Sequence, residues 1–166
     1  DISADLDELA RTAVAVVCAG VKAILDLPRT LEYLETRGVP VIGYGTDRFP
    51  AFWSRESDLP VPIRLDTPEA IAALMRAKDD LGLGGGVLIA NPVPADAEIP
   101  ADEMRRFIGE SVEEARLRGI RGKAVTPFLL SRLNEVTSGR SLTTNIALVK
   151  NNAALAARLA AALVQS

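Results

Sequence analysis

Short apolar runs alternate with amphipathic helical patterns along the chain, and this alternation restricts the possible folds more than any other feature. The runs Val14–Val17, Val39–Tyr44 and Val87–Ala90 read as strands, and helical patterns lie before, between and after them. Strands that alternate with helices over short connections form a largely parallel sheet covered by helices. We therefore predict a three-layer α/β/α sandwich for residues 1–166, forming an incomplete part of a larger α/β domain.

Local signals place the helix ends. Ser3 is a suitable N-cap for the first helix, Thr30 for the second and Thr67, followed by Pro68, for the third. Glycine ends the second helix at Gly38. Further helices are predicted from Pro100 to Gly119, from Thr126 to Gly139 and from Ser141 to the C-terminus.

Two regions leave alternatives open. Residues 45–66 contain several prolines and predict a long excursion over the surface or towards another subunit, with Trp53 as a packing anchor. The last helix carries apolar residues at four-three spacing, which predict a seam that packs either on the sheet or on another subunit. The seam residues are Leu142, Ile146, Val149, Ala153, Ala156, Ala160 and Leu163.

Composition excludes several functional classes. The net charge of −3 and the pI near 5.1 give no reason to expect a nucleic acid or an anionic membrane as partner. Histidine is absent, so the chain itself cannot supply an imidazole base or a His-ligated zinc site. The single cysteine, Cys18, fits a reducing compartment, and its apolar setting favours a packing role. Because we find no apolar stretch of membrane-spanning length and no signal peptide, we expect a cytoplasmic protein.

Lys22 is the candidate nucleophile. It is one of only four lysines and follows the first apolar run after a glycine turn. Open α/β folds bind ligands at the carboxyl ends of their strands, and partial desolvation there favours an uncharged amine. A solvated surface lysine is the competing interpretation. Asn91 follows the strand at residues 87–90 and is expected at the same rim, whereas Gly84–Gly86 precede that strand and predict a turn.

Six segments together resemble the pseudouridine-5′-phosphate glycosidase family, also known as indigoidine-biosynthesis protein A-like proteins. The segments are Asp1–Leu6, Val17–Lys22, Thr30–Tyr44, Ala90–Pro94, Thr126–Leu130, and Asn145–Val149 with Asn151 and Asn152. They occur in the family's order along the whole chain. Family members are about twice as long, so the resemblance implies a C-terminal half. The missing initiator Met and the start on a helix cap also lead us to expect a piece of a longer protein.

The resemblance implies a reaction and the residues that perform it. A lysine at the place of Lys22 attacks C1′ of pseudouridine 5′-phosphate, and the sugar ring opens to a Schiff base. The bond between C1′ and uracil C5 then breaks, and the reversible reaction yields uracil and ribose 5-phosphate. By the same resemblance, Ser3, Ala4, Asp5 and Asn145 bind substrate.

The resemblance also implies a divalent cation, usually Mn²⁺, held by Asp1, with Asp5 as a near alternative. Both acids would equally serve as helix-capping groups without an ion. It further implies a homotrimer, and it places the general-acid glutamate and a substrate-binding lysine in the half that this chain does not match. We therefore expect the isolated chain to be inactive. A C–C lyase for another phosphorylated sugar and a non-catalytic oligomerisation module remain the alternatives.

Overall fold

The structure, a computed structural model, describes residues 3–21 and 26–164. Six α-helices and four β-strands lie in these ranges, together with 3₁₀ turns at Ala95–Ala97 and Gly122–Ala124. In chain order the elements are α1 (Asp5–Arg11), β1 (Ala15–Cys18), α2 (Leu27–Thr36), β2 (Val41–Tyr44), β3 (Ile63–Leu65), α3 (Pro68–Asp80), β4 (Val87–Ala90), α4 (Ala101–Leu117), α5 (Val125–Val136) and α6 (Arg140–Val164).

The four described strands form one parallel sheet in the order β1-β4-β2-β3. Ile89 on β4 lies between Val17 on β1 and Ile42 on β2, which fixes the register of the central strands. The predicted parallel α/β architecture is therefore confirmed. The first strand starts at Ala15, one residue later than predicted, and β3 was missed altogether.

Helices cover both faces of the sheet. On one face α1 and α2 pack on β2 and β4 through a cluster that includes Leu9, Leu34 and Leu88. On the other face α3 and α6 pack through Ile71 and Leu155. Alternate residues of a strand point to opposite faces, so the buried side chains of β4 divide between these two layers. The three-layer prediction is confirmed, and α4 and α5 pack beside it around a separate cluster.

The start of α2 corrects one predicted cap. Asp26, rather than Thr30, caps this helix, and the Asp26 side chain accepts a hydrogen bond from the Arg29 N–H at 3.1 Å. Pro28 occupies the first turn, where its missing N–H costs nothing. Thr30 instead lies inside the helix, where its buried hydroxyl donates to the Asp26 carbonyl oxygen at 2.8 Å. The predicted cap at Thr67 is confirmed by its hydrogen bond from the Ala70 N–H at 3.1 Å.

Residues 45–66 pack on the body of the domain rather than leaving it. Phe49 and Trp53 are almost completely buried. The Trp53 Nε1–H donates to the Ser141 carbonyl oxygen at 3.1 Å, which joins this segment to the start of α6. Trp53 is therefore the packing anchor that the sequence predicted, and it holds a segment that runs over the surface of the domain.

The last helix buries a different face from the predicted seam. Its buried residues are Ser141, Thr144, Leu148, Leu155, Leu159 and Ala162. The seam residues Leu142, Ile146 and Val149 are 53%, 49% and 57% exposed. The alternative that this seam packs on the sheet is therefore wrong for its residues from Leu142 to Ala160, whereas Leu163 packs against the cluster between α6 and the sheet. Two polar residues, Ser141 and Thr144, join the buried face, and the Thr144 hydroxyl donates to the Ala97 carbonyl oxygen at 2.6 Å.

By length and mean hydropathy alone, α6 could cross a membrane, which contradicts the expectation that no stretch is long enough. A helix that packs on the core of a globular domain passes the same test. The buried face of α6 contacts α3 and the sheet in this structure.

Candidate active site

The carboxyl ends of β1 and β4 are joined at the rim where ligands bind in open parallel sheets. The Asn91 N–H, immediately after β4, donates to the Cys18 carbonyl oxygen at the end of β1, with a distance of 2.8 Å. Ala19, the next residue of the chain, is buried against Val93 and Leu148. The chain that follows β1 is therefore held by contacts with the end of β4 on one side and with α6 on the other.

Gly20 continues this exit in a conformation that suits only glycine. Its φ is +87°, in the left-handed region. A Cβ atom at this position would lie 1.8 Å from the Pro50 carbonyl oxygen, so the close approach also requires the absence of a side chain. The neighbouring Phe52 N–H donates to the Ala19 carbonyl oxygen at 2.9 Å. The backbone is therefore tightly held two residues before the candidate nucleophile.

Lys22, the predicted nucleophile, lies outside the described residues, as does Asp1, the predicted metal ligand. Their neighbours in sequence are placed. Val21 packs against the cluster formed by α1, α2 and the sheet. On the other side Asp26 caps α2. The role of Lys22 as a nucleophile therefore stays a prediction. Val21 before it and Asp26 after it are both held by contacts with the domain.

Asparagine side chains tie the rim to α6. Asn91 is only 4% exposed, and its Nδ2 donates to the Oδ1 of Asn152 at 3.0 Å. The adjacent Asn151 Nδ2 donates to the Pro92 carbonyl oxygen at 3.1 Å. Sequence reasoning placed Asn91 at the rim, whereas its partner Asn152 is half-buried on α6. The pairing joins residues 61 positions apart, so no local pattern could have revealed it.

Asn145, a predicted substrate-binding residue, is half-buried on α6. It follows Thr144, whose hydrogen bond to Ala97 holds this turn of the helix against the segment after β4. Asn152 lies seven residues further along, two helical turns away on the same side. Asn145 is therefore presented from a fixed turn of α6, on the same side of the helix as the amide that reaches the rim.

The other predicted substrate-binding residues begin α1. Ala4, rather than the predicted Ser3, is the N-cap of α1, and the Ser3 Oγ accepts a hydrogen bond from the Asp5 N–H at 3.3 Å. Asp5 is exposed at the first helical position, where its carboxylate complements the helix dipole. Within residues 3–21 and 26–164, no hydrogen bond or ion pair joins this turn to Asn145.

The described residues contain no group of three Asp, Glu, Cys or His side chains that could enclose a metal ion. The donors at the start of α1 are oxygens, from the Ser3 hydroxyl and the Asp5 carboxylate. Oxygen donors of this kind suit Mn²⁺ or Mg²⁺, which keep several waters when few carboxylates bind them. The donor atoms of this turn are of the type that the predicted ion prefers, but their number is smaller than the ion needs.

Cys18 is not a second nucleophile at the rim. Burial raises the pKa of its thiol from the ordinary value of 9.0 to about 11, although a backbone hydrogen bond with Gly20 lowers it in part. The thiol therefore stays protonated at neutral pH, and only the thiolate is a strong nucleophile. This supports the packing role that the sequence favoured.

Two clefts open beside the rim. One, of about 400 Å³, lies between residues 51–58 and α4 and reaches Leu27, the first residue of α2. The other, of about 240 Å³, follows β2 and contains Arg48, Arg55 and Arg64. Sequence reasoning missed this arginine group, whose members are far apart in the chain. Arg64 is paired with Asp47 at 2.6 Å, so part of the positive charge is already neutralised.

Comparison with known proteins identifies the family. The family model described as indigoidine synthase A-like protein matches residues 1–162. The chain belongs to this family. The resemblance found in the sequence is thereby confirmed.

Curated relatives of this indigoidine synthase A-like chain carry an enzyme name. A pseudouridine-5′-phosphate glycosidase of Methylobacterium nodulans is 77% identical over 163 residues, which are 98% of this chain and 48% of the relative. The protein of the same name from Solibacter usitatus is 68% identical over 160 residues, which are 96% of this chain and 54% of the relative. The chain thus spans about half the length of the curated relatives that it matches.

Solved structures of similar fold include a prealnumycin C-glycosynthase, AlnA, in complex with ribulose 5-phosphate. It matches with a TM-score of 0.91 and 36% identity over 98% of this chain and 54% of that protein. An indigoidine synthase A-like protein from Thermotoga maritima matches with a TM-score of 0.86 and 38% identity, over 99% of this chain and 54% of that protein. Both support the assignment of the chain as part of a larger α/β domain.

Proposed function

We propose that this chain supplies the Schiff-base half of an enzyme that reversibly cleaves pseudouridine 5′-phosphate into uracil and ribose 5-phosphate. The observation that carries the proposal is the 77% identity to a pseudouridine-5′-phosphate glycosidase over 163 residues. The activity belongs to the full-length enzyme, since the chain spans about half of its relatives.

Lys22 is the proposed nucleophile. The base of pseudouridine is attached through carbon, so it cannot leave as a nitrogen that is simply protonated. Attack of the lysine amine on C1′ breaks the C1′–O4′ bond and opens the sugar ring; O4′ takes up a proton, the amine loses one, and C1′ now bears nitrogen beside uracil C5. When the C1′–C5 bond breaks, its electron pair stays on uracil C5, which takes a proton from an acid, and C1′ remains bonded to nitrogen as an iminium. Water then hydrolyses the iminium and frees ribose 5-phosphate and the lysine.

The described residues support this chemistry by position. Gly20 and Asn91 hold the end of β1, two residues before the proposed nucleophile in the case of Gly20. Such positioning lowers the entropic cost of attack. Asn145 is proposed to hydrogen-bond the substrate from α6, and the amides and hydroxyl at Ser3–Asp5 to hold a phosphate or sugar hydroxyl. Mn²⁺ at Asp1, with Asp5 as the alternative, would add positive charge near the phosphate.

Borohydride trapping tests the nucleophile. The full-length enzyme that contains this segment is incubated with ribose 5-phosphate and sodium borohydride, and the labelled peptide is identified by mass spectrometry. We expect a reduced adduct at Lys22 that Lys22→Ala abolishes. Lys150→Ala is the matched control because Lys150 is an exposed lysine on α6, and it should be labelled like the wild type. An adduct that survives Lys22→Ala would refute the assignment.

A second candidate is a related enzyme that makes or breaks C-glycosidic bonds of another phosphorylated sugar. The structural likeness to a C-glycosynthase in complex with ribulose 5-phosphate favours it. A substrate panel on the full-length enzyme separates the two, because only the first predicts that pseudouridine 5′-phosphate gives the highest kcat/KM.

We also expect the isolated 166-residue chain to release no measurable uracil, since the implied general acid lies in the other half. A homotrimer in the cytoplasm is the proposed working form.

A further inference from the structure

The exposed flank of α6 is an uncharged apolar strip. Leu142, Ile146 and Val149 are each about half exposed or more, and the strip continues through three alanines that are also exposed. The full set is Leu142, Ile146, Val149, Ala153, Ala156 and Ala160. Contiguous apolar patches of this kind on a folded domain mark interaction surfaces.

Helical geometry shows that this strip is separate from the face already packed on the sheet. At about 100° per residue, the strip lies roughly 130° around the helix from the line of buried residues that includes Leu148 and Leu155. The charged side chains Lys150 and Arg158 lie on the remaining side. The polar border between the buried line and the strip contains Asn145 and Asn152. Whatever covers the strip therefore comes close to Asn145.

The open edge of β1 adjoins this strip. Among the described strands β1 is outermost in the sheet, and only β4 pairs with it. The carbonyl oxygens of Val14 and Cys18 point to β4, where they accept hydrogen bonds from Val87 and Asn91. Because peptide groups alternate in direction along a strand, Ala15 and Val17 direct their N–H and C=O groups to the open edge.

The strand edge and the helix strip form one continuous surface. The side chains of Ala15 and Val17 pack in the same cluster as Leu155 and Leu159 of α6, so α6 lies directly over β1. We define the β1–α6 surface as the open edge of β1 together with the apolar strip of α6. An unpaired strand edge beside an apolar face favours the addition of a further strand and a packed element.

We propose that the β1–α6 surface is the docking site for the half of the full-length family members that this chain does not span. That half would add a strand to the β1 edge and cover the strip on α6. The chain matches only 48% of the Methylobacterium nodulans relative, so a segment of comparable length accompanies it there. The edge of β1, unpaired among the described strands, offers backbone hydrogen bonds to that segment, and the adjacent strip offers it an apolar contact. The inference does not depend on the proposed reaction.

Association of separate halves tests the proposal. This chain is produced together with the half of the Methylobacterium nodulans relative that it does not match, as a second polypeptide with its own affinity tag. We expect a one-to-one complex by co-purification and sedimentation. Ile146→Glu and Leu142→Glu should each weaken association at least about 10-fold, because a carboxylate would be buried in an apolar contact. Leu117→Glu is the matched control, since Leu117 is 72% exposed on α4, away from the surface.

Circular dichroism of each variant establishes that the fold is kept. Hydrogen exchange supplies a second readout that needs no substitution: the amides of Ala15 and Val17 should become protected in the complex. Three results would overturn the proposal. These are unchanged association of both glutamate variants, self-association of this chain that Ile146→Glu abolishes, and Ile146-dependent binding to vesicles of phosphatidylcholine and phosphatidylglycerol.

Discussion

The Nδ2 of Asn91 donates a hydrogen bond to the Oδ1 of Asn152 across 3.0 Å and so joins the end of β4 to the middle of α6. Asn91 is only 4% exposed, and its side-chain amide is hydrogen-bonded to the side chain of Asn152. If one side chain of the pair is removed, the amide of the other stays buried without a hydrogen bond, and nothing compensates for its lost hydration. The pair therefore couples the rim of the sheet to the helix that presents Asn145.

A double-mutant cycle measures this coupling. Asn91→Ala and Asn152→Ala should each lower the free energy of unfolding by about 1–3 kcal/mol, because each leaves one amide unpaired. The double variant should be less destabilised than the sum by about 1 kcal/mol. Urea unfolding followed by circular dichroism gives all four values. Strict additivity would mean that the hydrogen bond contributes nothing to stability.

Gly20→Ala should be among the most damaging single-methyl additions in the chain. The added Cβ would meet the Pro50 carbonyl oxygen at 1.8 Å, and φ is +87°. Steric strain and the left-handed conformation together should cost about 3 kcal/mol or more in the free energy of unfolding. Thermal unfolding measures the loss.

Gly38→Ala is the matched control for this prediction. Gly38 also has a positive φ, +67°, but no atom lies within 4 Å of a Cβ built there. Only the conformational cost of about 1 kcal/mol should remain. Equal losses for the two variants would show that the contact with Pro50 is unimportant and that the end of β1 is held less tightly than the structure indicates.

The sequence predicted β4 at Val87–Ala90, with both ends correct, because strong local signals bound it. Glycines precede the strand, and Asn91 with Pro92 follows it. The three-residue strand β3 was missed, since Pro60 and Pro62 hide its short apolar pattern and only pairing with β2 stabilises it.

For a related physical reason, the sequence pattern of α6 could not predict which face of this helix is buried. Periodicity reveals that a helix has an apolar strip but not which strip the rest of the same chain buries. Ser141 and Thr144 face inward because distant groups satisfy them, such as the Ala97 carbonyl oxygen. The same holds for the candidate site. The position of Asn91 directly after a strand placed it at the rim, but only the tertiary structure shows that Asn152 is its hydrogen-bond partner.

Lys78 is a buried lysine that organises the turn before β4. Its Nζ lies 2.7 Å from each of the carbonyl oxygens of Leu83, Gly84 and Gly85. Lys78→Met keeps the length of the side chain but leaves these carbonyls without their donor, so we expect a loss of about 2–4 kcal/mol in the free energy of unfolding. Lys150→Met, at an exposed position, should change it by less than about 0.5 kcal/mol. Equal stability of Lys78→Met and the wild type in urea would contradict the structural role.

Cys18 should react slowly with thiol reagents. Burial raises the pKa of its thiol from 9.0 to about 11. At pH 8 a shift of this size leaves about 100-fold less thiolate than in a free cysteine, and alkylation should slow to a similar degree. Iodoacetamide labelling followed by mass spectrometry measures the rate, and the urea-unfolded chain is the control because its thiol is exposed. A folded chain that is labelled as fast as the unfolded one would contradict burial of the thiol.

The same shift makes stability depend on pH in a defined direction. A thiol whose pKa is raised by folding binds its proton more tightly in the folded state, so its stabilising contribution is complete below pH 9 and is lost as the pH rises towards 11. Cys18→Ala removes this contribution, while every other titrating group is unchanged. The difference in the free energy of unfolding between wild type and Cys18→Ala should therefore shift in favour of the variant between pH 9 and 11. A difference that stays constant over this range, measured by urea unfolding under reducing conditions, would show that the thiol titrates alike in the folded and unfolded chains.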